Sequence, residues 1–446
     1  MNNEHAFGPR RRAWLLIPGL ALLTVLGLIG TYVLTHQFGM NDAEQKKSLQ
    51  IPVSIRQVDG GPNYFARFQN SLPTSAEFFP IGIWQESLTD PSDSPRDSSI
   101  GINVYVDLTS NSEPALAAAQ HSYALVSAPL SGGAGKVLSD EVDMWAGAGN
   151  AEWTGAGPGT GQACRPAGQG CGFTIQRELL KGVPETTLTY ANYGKGVTFW
   201  QSPQDAAVFV NEFPDLVSAD NYWFTDPNIC GPSEGGSALG GGVLLPSEQC
   251  RLAANYGWTV EKIRTLISPS GSKPVWGFVE VGHPFGEEDA PTITGEELRA
   301  AVWSSLIHGA RGIVYFNHNF GGPCPTQHLL REPCGDSIRP HVSAINSQLK
   351  ALAPVLNAPF LDGAITATGP VDYSTKLFNG EVFVFAGANK ASGGAATFQL
   401  QCGGSSVVVL DENRKIPVVD GSFTDTFANG NAVHLYRIEG GGSCGL

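Results

Sequence analysis

The chain has 446 residues, 42% of them hydrophobic and 15% charged, with 27 Lys and Arg against 41 Asp and Glu and a formal net charge of -14. That is enough apolar chain for one domain of the barrel size class plus a smaller one. The acidic balance excludes nucleic acid and anionic membrane surfaces as the main partner, because both select basic patches, and it leaves neutral ligands.

Residues 1–12 read as a cytoplasmic tail ending in Arg10, Arg11 and Arg12. The segment that follows, "AWLLIPGLALLTVLGLIGTYVL" at 13–34, carries no charged residue. As a helix rising 1.5 Å per residue it would be about 33 Å long, enough to cross a hydrocarbon core. The preceding arginines keep the N-terminus inside, so the expectation is a single-pass type II cell-membrane protein with everything beyond the span extracytoplasmic. A cleaved signal peptide is the alternative, but its apolar region is shorter, about 7–15 residues, and no small-x-small site follows in "THQFGMNDAEQ". A stalk and entry segment is expected over 35–70.

All eight cysteines lie beyond the span, where disulfides persist. Nearest-neighbour pairing would join Cys164 to Cys171, Cys230 to Cys250, Cys324 to Cys334 and Cys402 to Cys444. None has the C-x-x-C spacing of a zinc site.

Over 71–356, short apolar runs alternate with helical patterns. The runs are "FFPIGIWQ" (78–85), "GINVYVDL" (101–108), "SYALVSAP" (122–129), "GKVLSDEV" (135–142), "GVTFWQ" (196–201), "DLVSADNYW" (215–223), "KPVWGFVEV" (273–281) and "RGIVYFNHNF" (311–320). Helices suit "EPALAAAQ" (113–120), "LAANYGWTVEKIRTLI" (252–267) and "HVSAINSQLKALAPVL" (341–356). A further one, from Thr294, opens with a capping box of Thr294 and Glu297. Eight alternations imply a (β/α)₈ barrel of the TIM type. The polar stretch between the first two runs shows no helical period, so the first barrel helix is expected to be missing or degenerate. From 357 to 438 the pattern becomes strands with Gly and Asn turns and no helix, an all-β sandwich, and 439–446 is a Gly-rich tail holding Cys444.

One residue stands out in this frame. Five of the six residues before Glu280 are apolar or Gly, so a carboxylate ends a run that should be buried. It is either a structural salt bridge or a catalytic group at the C-terminal end of the seventh barrel strand. Asp140 and Glu141 end the fourth strand, across the barrel mouth, and two carboxyls flanking one bond are what glycosidic cleavage needs. Trp84, Trp145, Trp200, Tyr222 and Trp223 fall at or just after the ends of the first, fourth, fifth and sixth strands, where indole and phenol faces could carry sugar rings. Any single one is more often a core residue, because Trp buries a large area wherever it sits, but five at the same rim are harder to dismiss. Asn317 and His318, after the eighth strand, are candidates for hydrogen-bonding hydroxyls, and His318 could equally be a satisfied structural histidine.

In order, "FFPIGIWQ", "GINVYVDL", "SDEVDMW", "KPVWGFVEV" and "RAAVWSSLIHGARGIVYFNHNF" resemble the bacterial clan-A glycoside hydrolases that carry an appended β-sandwich, over roughly residues 78–438. The resemblance implies a retaining hydrolase of O-glycosidic bonds in an oligo- or polysaccharide, with Glu141 as general acid/base and Glu280 as nucleophile. It also implies that Tyr222 stands near the nucleophile and that no cofactor or metal takes part. Where the clan has Asn-Glu this chain has Asp140-Glu141, and Asp140 can donate to a sugar hydroxyl only if protonated. "HPFGEED", with His283, Glu287, Glu288 and Asp289, reads as a solvated loop rather than a metal site. The competing reading is a non-catalytic carbohydrate-binding or cell-envelope protein on a glycosidase-like barrel.

Overall fold

The computed structural model describes residues 52–442 except Glu288. The chain divides into Met1–Pro52 and Val53–Leu446, and the second unit carries everything below. The tail, the expected membrane anchor at 13–34 and the stalk up to residue 51 lie outside the described residues, as does Cys444. Among the described residues no helix is long and apolar enough to cross a membrane.

Eight parallel strands close into a barrel: Ile81–Trp84, Val104–Val106, Tyr123–Val126, Gly135–Asp140, Thr189–Tyr193, Leu216–Ala219, Val275–Glu280 and Ile313–Phe316. The eighth closes on the first through the pairs Ile313 with Ile81 and Tyr315 with Ile83. Alternation along each strand divides the side chains. Trp84, Tyr190, Trp276, Phe278 and Val314 fill the interior, while Ile83, Ala191, Val279 and Tyr315 face the surrounding helices. The interior is therefore a packed core, and the mouth lies only at its C-terminal rim.

Two expectations are corrected. The fifth strand is Thr189–Tyr193, and "GVTFWQ" instead begins with a turn of π-helix, Gly196–Trp200. The carboxylate of Asp143 accepts from the backbone N–H of Gly194 at 3.1 Å and of Val197 at 2.7 Å, which curls this β-branched and aromatic run into a helical turn. The first barrel helix is also present, as Asp93–Ser99. Its buried face is acidic rather than apolar: Asp97 pairs with the Arg331 guanidinium at 2.5 Å, and Asp93 accepts from the N–H groups of Thr89 and Asp90.

The entry segment does more than connect. Tyr64, Phe65, Phe68 and Leu72 join the barrel-interior cluster, and the Tyr64 hydroxyl donates to the carbonyl of Asp215, just before the sixth strand, at 2.6 Å. Ser54–Arg56 pairs antiparallel with Phe360–Asp362 in the sandwich. That sandwich has a seven-stranded and a three-stranded sheet, its core built on Val384, Phe398, Phe423 and Tyr436. It rests on the barrel helix Gly295–Ile307, whose capping box at Thr294 and Glu297 is formed and whose Trp303 meets Phe385 at 5.2 Å between ring centroids. The disulfides Cys164–Cys171, Cys230–Cys250 and Cys324–Cys334 staple three loops of the barrel.

Candidate active site

At the C-terminal rim, three strands end the same way. Gln85, Asp107 and Glu141, each the first residue past its strand, have φ of +45°, +57° and +46°. Their N–H groups donate to Val106, Leu125 and Asn192 of the next strand, so the ladder is completed as the chain turns away. Left-handed backbone is uncommon for residues with a Cβ and concentrates at functional sites.

The fourth strand brings Asp140 and Glu141 to the mouth, both half-buried. Asp140 accepts from the Asn192 side-chain amide at 3.0 Å, and Asn192 in turn accepts from the Ser218 hydroxyl at 2.6 Å. Burial, then the Glu141 charge, push the Asp140 carboxyl up to about 8. That direction favours the protonated form, in which Asp140 can donate as an Asn would. Glu141 is raised by burial, an effect opposed by a hydrogen bond with Asp220 and by the nearby Lys195 charge. Gly194 leaves room for it: a Cβ there would sit 3.1 Å from Glu141 Oε1 and 2.3 Å from the Met144 sulfur.

Glu280 ends its strand fully buried. It makes no salt bridge among the described residues. Its Oε1 accepts from the Tyr256 hydroxyl at 2.6 Å and from Thr225 at 3.0 Å, while Oε2 has no hydrogen-bond partner among the described residues. Burial pushes the carboxyl up to about 7 against those two donors. The sequence implies one ionised and one protonated carboxyl; burial instead raises both Glu141 and Glu280. Tyr222 packs against Phe278 of the strand that ends in Glu280. Its hydroxyl donates to Asp220 at 3.3 Å, and it is held in its neutral form by burial and then by the charges of Asp220, Glu141, Asp140 and Glu280.

The aromatic candidates divide. Trp84 is buried against Phe278 and Tyr190. Trp223 is fully buried, edge-on to Phe199 and Trp258, with its indole N–H on Thr259 at 2.9 Å. Neither offers a ring face to a ligand in this conformation, and the expected platform loses both. Trp145 stays beside the carboxyls, half-buried, its indole N–H on the carbonyl of Asp140 at 2.8 Å. Trp200, 45% exposed, lies on the loop side, its N–H on the Ser233 carbonyl. Asn317 donates to the buried Glu86 at 2.9 Å, and His318 is buried against Phe316, a setting that lowers its pKa. The Glu86 cluster, with Arg331 at 3.2 Å and a short contact to His328, is a buried ion network that fixes the 317–338 loop.

The residue that sequence reading missed is Asp220, one position past the sixth strand and half-buried with Glu141. The rule that singled out Glu141 and Glu280 applies to it equally. A "GPSEG" run at 231–235 has the spacing of a serine-hydrolase elbow, but it lies in a loop rather than at a strand end. A groove of about 640 Å³ elsewhere, lined by Trp258, Glu261, His308 and Asp372, contains none of the mouth carboxyls.

No family model and no curated protein matches the chain. Among solved structures it is similar to a protein titled glycoside hydrolase, at 12% identity, covering 81% of this chain and 93% of that one with a TM-score of 0.46. It is similar also to a glycoside hydrolase family 5 protein from Bacteroides vulgatus, at 10% identity, 81% and 90% coverage and a TM-score of 0.45. A third is the alpha-amylase from Geobacillus thermoleovorans complexed with acarbose, at 8% identity, 82% and 99% coverage and a TM-score of 0.46. At these values the fold assignment rests on the closed strand register itself, a parallel eight-stranded barrel of the TIM type with an appended β-sandwich.

Proposed function

We propose that the protein is a membrane-anchored, extracytoplasmic glycoside hydrolase that cleaves O-glycosidic bonds of an oligo- or polysaccharide with retention. The observation that carries this reading is that Asp140, Glu141 and Asp220, half-buried, and the buried Glu280 all end or directly follow strands at the C-terminal rim of one closed barrel. In the first step Oε2 of Glu280 bonds to the anomeric carbon as the bond to the leaving oxygen breaks, and that oxygen takes a proton from Glu141. Water then attacks the same carbon, gives its proton to Glu141 and frees Glu280. Asp140, protonated, donates to a hydroxyl of the sugar, and Trp145, Trp200 and Tyr222 supply ring faces. No step calls for a cofactor.

Full burial of Glu280 is the observation that favours a second reading, a carbohydrate-binding protein of the same fold without turnover. The two separate on a panel of activated aryl glycosides and polysaccharides given to the full-length protein. Hydrolysis that Glu141→Gln abolishes supports the enzyme. Binding with no hydrolysis of any member supports the second reading.

A further inference from the structure

Asp140 reaches the mouth through an irregularity in its strand. Val137 pairs with Tyr190 and faces the interior, so strict alternation would turn Ser139 inward and Asp140 outward. A register shift between Val137 and Ser139 adds one residue and brings Asp140 opposite Asn192. Ser139 turns instead to the outer helix Gly172–Leu180, where its hydroxyl accepts from Gln176 at 2.7 Å. Inside, Asp140 meets a chain of three fully buried side chains, Asn192, Ser218 and Tyr190. Asn192 Nδ2 donates to Asp140 Oδ1 at 3.0 Å, the Ser218 hydroxyl donates to Asn192 Oδ1 at 2.6 Å, and the Tyr190 hydroxyl lies 2.5 Å from that of Ser218. One order of protons satisfies every member. Ser218 spends its proton on Asn192, so Tyr190, whose hydroxyl has no other partner among the described residues, gives its own to Ser218. In the reverse order the Tyr190 proton would be buried without an acceptor. The chain therefore ends on Asp140 Oδ1 as an acceptor in either protonation state, and a proton on this carboxyl sits on Oδ2.

We propose that Asn192, Ser218 and Tyr190 are positioning residues that decide which oxygen of Asp140 meets the substrate: the barrel holds Oδ1, and Oδ2 presents its proton to a sugar hydroxyl. The functional part rests on the reading of the mouth as a glycosidase site. Asn192 serves Glu141 as well, because its backbone carbonyl accepts the Glu141 N–H at 3.0 Å. One residue thus sets the place of both carboxyls of the fourth strand. The relay runs down into the packed interior, where the Tyr190 ring lies against Trp84 and Trp276. Its outer end is fixed by a core that does not move with the loops.

The test removes the relay without leaving a buried hydroxyl behind: Tyr190→Phe combined with Ser218→Ala in the full-length protein, in the parent and in an Asp140→Ala background. With no hydroxyl to fix it, the Asn192 amide can turn and accept the Asp140 proton from Oδ1, and Oδ2 ceases to donate. On an activated aryl glycoside that the parent cleaves, kcat/KM should fall about threefold to tenfold, the worth of one hydrogen bond between neutral groups. In the Asp140→Ala background the same change should add little, since residues that act through Asp140 have nothing left to act on. Tyr190→Phe alone should lose less, because Ser218 still has Asn192 as its acceptor. Independently of turnover, infrared spectra at about pH 6, below the value of about 8 to which burial raises Asp140, read its neutral-acid carbonyl stretch, assigned by its absence in Asp140→Ala. Loss of the relay should move that band up in frequency, because the carbonyl oxygen no longer receives the Asn192 N–H. If the band moves but no form cleaves any glycan, the relay stands and the glycosidase reading falls. If glycans are cleaved but the band is missing or unmoved, or kcat/KM falls equally in both backgrounds, the relay is overturned and the glycosidase reading stands. Should the double variant fail to fold, an unmoved band in Ser218→Ala alone overturns it equally.

Discussion

The Tyr256 hydroxyl donates to Oε1 of Glu280 at 2.6 Å, from a helix outside the barrel, Ala254–Leu266, to a strand inside it. It tethers one carboxylate oxygen and leaves the other without a donor. A hydrogen bond to a charged group contributes roughly 1.5–3 kcal/mol, so this contact is a main reason that a fully buried Glu280 titrates near 7 rather than higher.

Tyr256→Phe removes that donor and favours the neutral acid. Since the nucleophile must be ionised, the acid limb of kcat/KM, expected near pH 7, should rise by about one to two units. A pH–rate profile of the variant checks this. An unchanged limb would mean that Glu280 is not the group whose ionisation is being read.

The barrel and sandwich are also tied by an ion-pair relay through His308, whose acid partners are partly exposed. His308 lies between Glu261 at 2.9 Å and Asp372 at 3.4 Å. The two acids outweigh desolvation and raise its pKa from 6.5 to about 9. A raised folded value means that its stabilisation is complete below the unfolded pKa near 6.5 and is lost as the pH rises through about 9. Glu261 and Asp372 are lowered, so their share is lost in acid instead. Thermal unfolding of the full-length protein should fall between pH 7 and 10, and His308→Gln should flatten that fall.

Trp223 and Trp145 should respond oppositely to truncation. Trp223→Ala empties a fully enclosed site and should cost about 3–5 kcal/mol of stability, with ligand affinity unchanged in the fraction that folds. Trp145→Ala should leave the unfolding midpoint nearly unmoved while weakening the binding of whichever glycan the screen identifies. Calorimetry of each variant with and without that glycan reads both quantities.

Most of the barrel was legible because buried parallel strands are continuous apolar runs, as "KPVWGFVEV" and "RGIVYFNHNF" are. The fifth strand was not, since "TYANY" is short and carries Asn192, whose side chain is spent on Asp140 and Ser218. The more strand-like "GVTFWQ" was curled by a carboxylate 54 residues away in sequence from Val197. The helix at Asp93–Ser99 hid for a related reason. Its inner face is satisfied by Arg331, distant in sequence on the loop after the eighth strand, and ion pairing leaves no apolar period. Composition marks tryptophans as rim candidates but cannot say which way a ring turns. Trp84 points into the interior with Phe278, and Trp145 is held beside Asp140. Asp220 was in plain view just past "LVSA", and the strand-end rule that singled out Glu141 and Glu280 would have found it.

The roles of Glu141 and Glu280 separate most directly in the products that azide gives with their alanine variants, on an activated aryl glycoside that the parent protein cleaves. With Glu280→Ala, azide should enter the vacated space and attack the anomeric carbon directly, giving a glycosyl azide of inverted configuration. With Glu141→Ala the covalent intermediate on Glu280 can still form from a good leaving group, and azide should resolve it to the retained product. The inverted azide from Glu280→Ala together with the retained azide from Glu141→Ala is the expected result. The opposite pair of configurations would exchange the two roles, and full parental activity in both variants would place the chemistry elsewhere.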